Sequence, residues 1–232
     1  MSGGGGEGRG QEAVRVRAID SPAPAMPKPF LTDDAKRALR EAVHAVESAC
    51  GAELVIAVRK RSGPYTDGAL AAAIAGGLSV LAFLLFSPWT FGLAWFLVDP
   101  VVVGILAGVG ASRSPTVLRL ATSRAGRHLR VSTAARATFV DKGVYRTSRR
   151  TGILLYISLL EREAEVVADV GIDPAAATPA WRQAVAALQE AVALGEDGVQ
   201  VAARVRALGP VLAPLCVRVQ DDVNELADEV SE

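Results

Sequence analysis

Two long apolar runs near the middle of the chain restrict its fold more than any other feature. Residues 69–86 read ALAAAIAGGLSVLAFLLF, with no charged side chain, and residues 91–111 read FGLAWFLVDPVVVGILAGVGA, with one. An α-helix needs roughly 20 apolar residues to cross the hydrocarbon core of a bilayer. The run SPWT between them suits a tight turn, so the two runs predict a transmembrane helical hairpin. The alternative is a pair of buried core helices in a soluble protein.

Positive charges cluster on both sides of this hairpin and are absent from its turn. They are Arg59, Lys60 and Arg61 before it, and Arg113, Arg119, Arg124, Arg127 and Arg130 after it. Lys and Arg near the ends of spans accumulate on the cytoplasmic side. We therefore expect a protein of the cell (inner) membrane with two spans, and with both termini and the rest of the chain in the cytoplasm. The arginines after the hairpin suit either anionic lipid headgroups or a solvated helix face.

Composition narrows the classes of partner and compartment. The 25 Lys and Arg residues balance 25 Asp and Glu residues, so no nucleic-acid partner is expected. Cys50 and Cys216 lie far apart without a CxxC pair, which favours two buried thiols in a reducing compartment over a disulfide or zinc site. Residues 1–29 are rich in Gly and Pro and lack the apolar segment of a signal peptide. They are predicted to form a disordered cytoplasmic leader.

Outside the hairpin, helical and strand patterns alternate. Helices are predicted for residues 31–51, 115–142, 178–195 and 197–215, and strands for residues 52–60, 153–160 and 164–168. Thr32 and Thr178 are the predicted N-caps of two helices, and Pro210 is expected to interrupt the last one late. The charged residues 161–163 make a short turn, so the last two strands should pair antiparallel.

This order of elements predicts the α/β class, a small layered domain into which the hairpin is inserted. The domain would comprise residues 30–68 and 112–218, with the hairpin at 69–111 between them. An exposed acidic tail would follow at 219–232. The apolar face of the helix at 115–142 would come from Val117, Leu120, Leu129 and Phe139.

The stretch from residue 137 to 172, ATFVDKGVYRTSRRTGILLYISLLEREAEVVADVGI, resembles a segment shared by TPM-domain proteins. The matching positions are Thr147, Arg150, Gly152, Leu154, Glu165, Asp169, Gly171 and Ile172. The early LT helix, the run GAELVIAVR and Trp181 are also similar to that family. The ending QDDVNELADEV resembles its bacterial members with two membrane spans. The resemblance covers roughly residues 30 to 232.

The resemblance implies a small α/β/α sandwich of the TPM type. It also implies the roles linked to that family: acid phosphatase activity, divalent cation binding, photosystem repair in plastids, and accessory roles beside membrane proteins. Most bacterial members have no assigned role. Any activity of this chain therefore has to be argued from its own residues.

Asp169 is the strongest candidate for a ligand-binding residue. It follows the strand predicted at 164–168, and ligand sites gather at strand ends in layered α/β folds. A carboxylate there would suit Ca²⁺ or Mg²⁺, which prefer oxygen ligands, with Asp173 and Glu53 as further metal ligands. The alternatives are an Asp169 that caps its loop through backbone N–H groups and an Asp173 that makes an Asp-Pro turn.

Catalytic motifs are not visible in the sequence. It has no P-loop and no recognisable phosphatase nucleophile motif. The favoured function is therefore a non-catalytic, membrane-anchored binding or accessory module for membrane-associated partners, with a divalent cation as a candidate aid. The alternative is a metal-assisted hydrolase resembling an acid phosphatase.

The hairpin itself raises two further hypotheses. Asp99 lies within the second span, where a carboxylate is costly, and suggests an oligomeric channel component. Its alternative role is to cap the helix after a break at Pro100. The spacing of Gly104 and Gly108 would either pack the hairpin or pair chains into a homo-oligomer.

Overall fold

The structure is a computed structural model that describes residues 29–172, 178–214, 216 and 230–231. Almost all of the predicted leader lies outside the described residues. So do Asp173 and most of the predicted acidic tail.

The elements run in the order helix, strand, helical hairpin, two helices, two strands, three helices and a short strand. Their bounds are α1 Asp33–Ala49, β1 Glu53–Arg59, α2 Thr66–Phe86, α3 Leu93–Arg113, α4 Pro115–Ala121, α5 Arg124–Asp141, β2 Gly152–Ser158, β3 Glu163–Ala168, α6 Pro179–Leu194, α7 Gly198–Arg206, α8 Leu208–Leu212 and β4 Val230–Ser231. A 3₁₀ turn at Val144–Arg146 precedes β2. The mixed α/β class is confirmed.

The strands form one sheet in the order β3-β2-β1-β4. β1 pairs in parallel with β2, with Glu53 opposite Gly152, and β2 pairs antiparallel with β3, with Ser158 opposite Glu163. The antiparallel strand hairpin is as predicted. The two-residue β4 pairs in parallel with β1. Part of the tail predicted to be exposed is thus a sheet strand, because its backbone completes the open edge of β1.

Helices cover both faces of the sheet. One face carries Leu54, Ile56 and Ile153 into a core shared with residues of α1, α6, α7 and α8. The other carries Leu154 and Tyr156 against α5 and the 3₁₀ turn. Alternate residues of β1 and β2 feed opposite cores, which explains why these strands are apolar throughout. The finer identity of this arrangement as a TPM-type sandwich stays a prediction.

Local capping sets the ends of two helices as predicted. The Thr32 hydroxyl accepts a hydrogen bond from the Ala35 N–H at 3.1 Å, which opens α1. The Thr178 hydroxyl does the same for Trp181 at 3.2 Å, with Pro179 as the first residue of α6. Gly195 ends α6 in a left-handed conformation, with φ of 80°.

The two apolar helices, α2 and α3, pack against each other and expose most of their other surface. Each is long and apolar enough to cross a membrane, and only 6 % of the most apolar window of each is buried. Core helices of a soluble protein would be mostly buried. The exposure therefore favours the interpretation of α2 and α3 as membrane spans, although it does not place either end on a side of a membrane.

Small residues bring the two apolar helices into close contact. A β carbon at Gly104 would lie 2.9 Å from the Ala73 carbonyl oxygen, and one at Gly108 would lie 3.0 Å from the Ala73 β carbon. On α2, a β carbon at Gly77 would meet the Pro100 carbonyl oxygen at 2.9 Å. Of the two roles suggested for Gly104 and Gly108, the structure shows packing within the hairpin. Homo-oligomer formation stays a prediction.

Three other sequence-based expectations are wrong. The region 115–142 is two helices, because the Ser123 hydroxyl accepts from the Gly126 N–H and starts α5 anew. Of the predicted apolar face, Phe139 packs against a core as expected, whereas Val117, Leu120 and Leu129 are exposed. Leu118, Val131 and Ala135 are buried instead. The break at Ser123 rotates the apolar stripe, so a single helical period misassigns it.

The break in the last helical segment comes earlier than expected. α7 ends at Arg206, one turn before Pro210, and Pro210 lies inside α8. Proline has no N–H to donate to the carbonyl four residues back, here that of Arg206, and its ring crowds that carbonyl. Pro100, in contrast, does not break α3, which is continuous from Leu93 to Arg113.

Candidate functional site

The sheet topology places Asp169 at the opposite end of the parallel strands from the one that its sequence position suggests. β1 and β2 are parallel, and β3 runs against them, so the end of β3 lies beside the beginning of β2. The Asp169 N–H accordingly donates to the Gly152 carbonyl at 2.9 Å. Ligand sites in α/β sheets gather at the carboxyl ends of parallel strands. Asp169 lies at their amino ends.

An arginine occupies both oxygens of the Asp169 carboxylate. Arg150 Nε donates to Oδ2 at 2.7 Å and Arg150 Nη2 donates to Oδ1 at 2.9 Å, while the Val170 N–H donates to Oδ1 at 2.7 Å. Asp169 is 3 % exposed, whereas the Arg150 side chain is half exposed. This two-point ion pair and the backbone contact favour the loop-capping interpretation of Asp169.

Several residues that carry the family resemblance build the same loop junction. Arg150 has a φ of 57°, in the left-handed region that non-glycine residues rarely adopt. Its carbonyl accepts from the Gly171 N–H at 2.8 Å. A β carbon at Gly171 would lie 2.4 Å from the carbonyl oxygens of Arg149 and Arg150, so only glycine fits there. These matched positions are explained by backbone packing.

Hydrogen bonds to Asp169 favour the ionised form of its carboxyl group. Burial raises the pKa of its carboxyl group, but the hydrogen bonds from Arg150 and the Val170 N–H outweigh burial, so the pKa lies below its usual value. The ion pair therefore stabilises the fold at neutral pH. Its contribution is present above the unfolded-state pKa and is lost as the pH falls through the folded-state pKa.

We expect Asp169→Asn to lower the free energy of unfolding of the α/β domain by about 2 kcal/mol at pH 7, as for a lost charge-assisted hydrogen-bond pair. Urea unfolding of wild type and variant at several pH values measures the difference. It should shrink below about pH 4, where the unfolded-state carboxyl group becomes protonated. A difference that is absent at neutral pH, or unchanged in acid, would contradict the structural role.

The other predicted metal ligands do not complete a site within the described residues. Glu53 is the first residue of β1 and pairs with Gly152. It therefore lies at the same N-terminal end of the parallel strands as Asp169. Asp173 lies outside the described residues. In the part of the chain that the structure describes, no group of three His, Cys, Asp or Glu residues is placed to hold a metal ion. A Ca²⁺ or Mg²⁺ site at Asp169, Asp173 and Glu53 stays a prediction.

A buried carboxylate lies at the opposite, C-terminal end of β1 and β2. It was not predicted from the sequence. Glu161 is 5 % exposed and lies in the β2–β3 turn. Its Oε1 accepts from the Ser62 N–H at 2.9 Å and from the Tyr65 hydroxyl at 2.6 Å. Its Oε2 accepts from the Ser158 hydroxyl. A charged residue in a predicted turn is normally solvated, so the sequence did not indicate that Glu161 is buried.

This network links the sheet to the first apolar helix, α2. Tyr65 directly precedes α2, and burial, followed by the hydrogen bond to Glu161, raises the pKa of its hydroxyl well above the usual value. The Arg130 guanidinium lies 4.6 Å from the centre of the Tyr65 ring and also pairs with Asp67, in the first turn of α2. Sheet, α5 and α2 are therefore joined at one point.

His128 on α5 pairs with Glu163 at the start of β3. The hydrogen bond to Glu163 raises the pKa of the His128 ring above 6.5. An NMR titration should give a value above that of a free histidine, and Glu163→Gln should lower it. The pair's contribution to stability is present at acid pH and is lost as the pH rises through the folded-state pKa. An unchanged His128 pKa in Glu163→Gln would show that the contact is absent in solution.

The two buried thiols are as predicted. Cys50 and Cys216 are free and buried, at 1 % and 2 % exposed. The Cys50 thiol contacts the Val46 carbonyl at 3.2 Å. Burial raises the pKa of the Cys216 thiol, which disfavours the reactive thiolate. Both positions are suited to packing.

Comparison with known proteins adds support for the fold. No protein-family model matches the chain, and no curated protein matches it. The NMR structure of the BA42 protein from the psychrophilic bacterium Bizionia argentinensis is similar, with a TM-score of 0.52. The sequences are 15 % identical, and the match covers 88 % of this chain and 97 % of that one. Likeness at this identity concerns the fold alone.

Proposed function

We propose that this protein is a membrane-anchored accessory module of the TPM type. Its α/β domain would lie in the cytoplasm and bind membrane-associated partner proteins without catalysing a reaction. The observation that carries the proposal is the exposed apolar surface of α2 and α3, inserted between β1 and α4 of a domain with its own buried core. Exposed apolar surface of this extent is stable in a bilayer and unfavourable in water.

The contacts between hairpin and domain suit an anchor that fixes the domain near the membrane. In addition to the hydrogen bond between Tyr65 and Glu161, helix α4 packs against the first turn of α2. A β carbon at Gly68 would lie 3.3 Å from the Ala121 β carbon and 3.7 Å from Leu118 Cδ2. Tyr65 and α4 both hold the start of α2 at the junction between hairpin and domain. The domain would therefore present a fixed face to neighbouring membrane proteins.

The Asp169 geometry favours a non-catalytic module over the hydrolase alternative. Both oxygens of Asp169 accept hydrogen bonds from the Arg150 guanidinium, and the residue is 3 % exposed. A divalent cation on a remaining lone pair of this carboxylate would meet the positive charge of Arg150 at close range, which disfavours its binding. The accessory role needs no cation at Asp169.

Phosphate release from p-nitrophenyl phosphate tests the choice, measured on the purified chain with Ca²⁺, Mg²⁺ or a chelator. Asp169→Asn alone is ambiguous, because it also breaks a stabilising pair. Arg150→Gln is the matched control, since it removes the same pair and keeps the carboxylate. The accessory role predicts no cation-dependent turnover in any of the three proteins. Turnover that Asp169→Asn abolishes and Arg150→Gln retains would establish the hydrolase.

A further inference from the structure

A cationic cavity lies at the carboxyl edge of the parallel strands, on the same side as Glu161. Its volume is about 650 Å³, within the range of small-molecule sites. Four arginines line it: Arg119 on α4, Arg124 and Arg127 on α5, and Arg162 in the β2–β3 turn. We call it the arginine cavity.

Two of the arginines, Arg162 and Arg127, are held in place by the fold. Arg162 is 8 % exposed and has a φ of 53°, so the turn fixes it at the cavity wall. Arg127 Nη1 donates to the carbonyls of Arg119 and Thr122 at 2.6 Å each, which ties α5 to the end of α4. The first turn of α5, including Arg124, also faces the cavity, and the N-terminus of a helix favours an anion.

Like charges crowd together at this point. Burial lowers the pKa of the Arg119 guanidinium, and the nearby charges of Arg162 and Arg127 lower it further, while the charge of Glu161 offsets part of this shift. Among the described residues, the side chains of Arg119, Arg124 and Arg127 form no ion pair with a carboxylate. A bound anion would relieve this repulsion.

The acidic side chains of the cavity wall are exposed or held by other partners, and the partner of Glu163, His128, itself lines the cavity. Glu161 accepts from Ser62, Tyr65 and Ser158, and Glu163 pairs with His128. Glu190 is exposed on α6. The described end of the acidic tail, β4, lies beside β1 and is separated from β3 by the two strands β1 and β2.

The cavity also lies close to the ends of the spans. α4 begins two residues after α3 ends, and its seven residues extend only about 10 Å. The interfacial layer beyond the hydrocarbon core is roughly 5–8 Å thick on each side. An arginine on α4 is thus within reach of the phosphate layer of the adjacent leaflet.

We propose that the arginine cavity binds a phosphate group, and that the source of this phosphate is the headgroup of an acidic phospholipid. Guanidinium groups match phosphate oxygens with paired hydrogen bonds. The choice of lipid over a soluble phosphate rests on the proposed membrane anchoring. The phosphate chemistry itself rests on the cavity alone.

Native mass spectrometry of the full chain in a neutral detergent tests the proposal. Phosphatidylglycerol and phosphatidylcholine are supplied in equal amounts, and the ratio of their bound adducts is measured. The double variant Arg119→Gln/Arg124→Gln should lower this ratio about tenfold, as for a lost charge-assisted contact. The control Arg40→Gln/Arg136→Gln removes the same charge from exposed positions on α1 and α5 that lie outside the cavity and should change the ratio less than about twofold.

Equal losses in both variants, or no preference for phosphatidylglycerol in the wild type, would overturn the site. Inorganic phosphate supplies the second arm. An adduct that persists in millimolar phosphate and is lost in Arg119→Gln/Arg124→Gln supports the lipid source. Displacement by phosphate at or below the lipid concentration would show that soluble phosphate is preferred and would overturn the lipid source. Carbonate extraction of membranes from cells that express the protein tests the anchoring separately. Failure of the proposed membrane anchoring is therefore distinguishable from failure of the cavity to bind phosphate.

Discussion

Replacing Glu161 with alanine will lower the free energy of unfolding of the α/β domain by about 3 kcal/mol. The carboxylate is 5 % exposed and accepts hydrogen bonds from the Tyr65 hydroxyl, the Ser62 N–H and the Ser158 hydroxyl. Alanine would leave these donors without their acceptor in a buried region. Because Tyr65 precedes α2, the same change should loosen the junction between sheet and hairpin.

Urea unfolding of the full chain in micelles measures this effect through the fluorescence of Trp181, with Trp89 and Trp95 replaced by phenylalanine. Glu190→Ala is the control, since it removes an exposed carboxylate from the wall of the same cavity. We expect a change within about 0.5 kcal/mol for the control. Equal stability of the two variants would show that the Glu161 network does not form.

Leucine at Gly104 will separate the two apolar helices α2 and α3. A β carbon at this position already lies 2.9 Å from the Ala73 carbonyl oxygen and 3.8 Å from the Gly77 α carbon, and the remaining leucine atoms need further room. Backbone atoms cannot move aside as a flexible side chain does. The close contact along α2 and α3 would therefore be lost, and with it the packing that holds spans together in lipid.

Gly110→Leu provides the matched control on the same helix. A β carbon at Gly110 meets no atom within 4 Å, so this leucine should be tolerated. Electron paramagnetic resonance between spin labels on Leu78→Cys and Ile105→Cys, two exposed positions of α2 and α3, measures the distance between the helices. We expect Gly104→Leu to lengthen this distance by about 2 Å and Gly110→Leu to leave it unchanged. Equal distances in the two variants would contradict the packing.

Local sequence rules accounted for the elements of this fold better than for their arrangement. The apolar runs at 69–86 and 91–111 predicted the paired helices, and Thr32 and Thr178 marked helix starts as expected. These signals depend on neighbours in sequence. The break at Ser123 was missed because a serine within a helical pattern indicates a cap only when its hydroxyl meets the N–H three residues on, as it does at Gly126.

The candidate site depended on contacts between distant residues. Asp169 was correctly placed after a strand, but the sheet edge it occupies depends on β3 running against β1 and β2. Its partner Arg150 is 19 residues away, and Glu161 meets Ser62 from a position 99 residues later. No spacing in one sequence encodes such pairs, so the ion pair and the buried carboxylate emerged only from the structure.

Cysteine labelling of intact cells tests the central claim, a module anchored by two spans with its domain in the cytoplasm. Thr90→Cys lies in the hairpin turn and Arg136→Cys lies on the exposed face of α5, while the native Cys50 and Cys216 are buried. We predict that a membrane-impermeant maleimide labels position 90 in intact cells and position 136 only after permeabilisation. Labelling of position 136 but not 90 in intact cells would contradict the account.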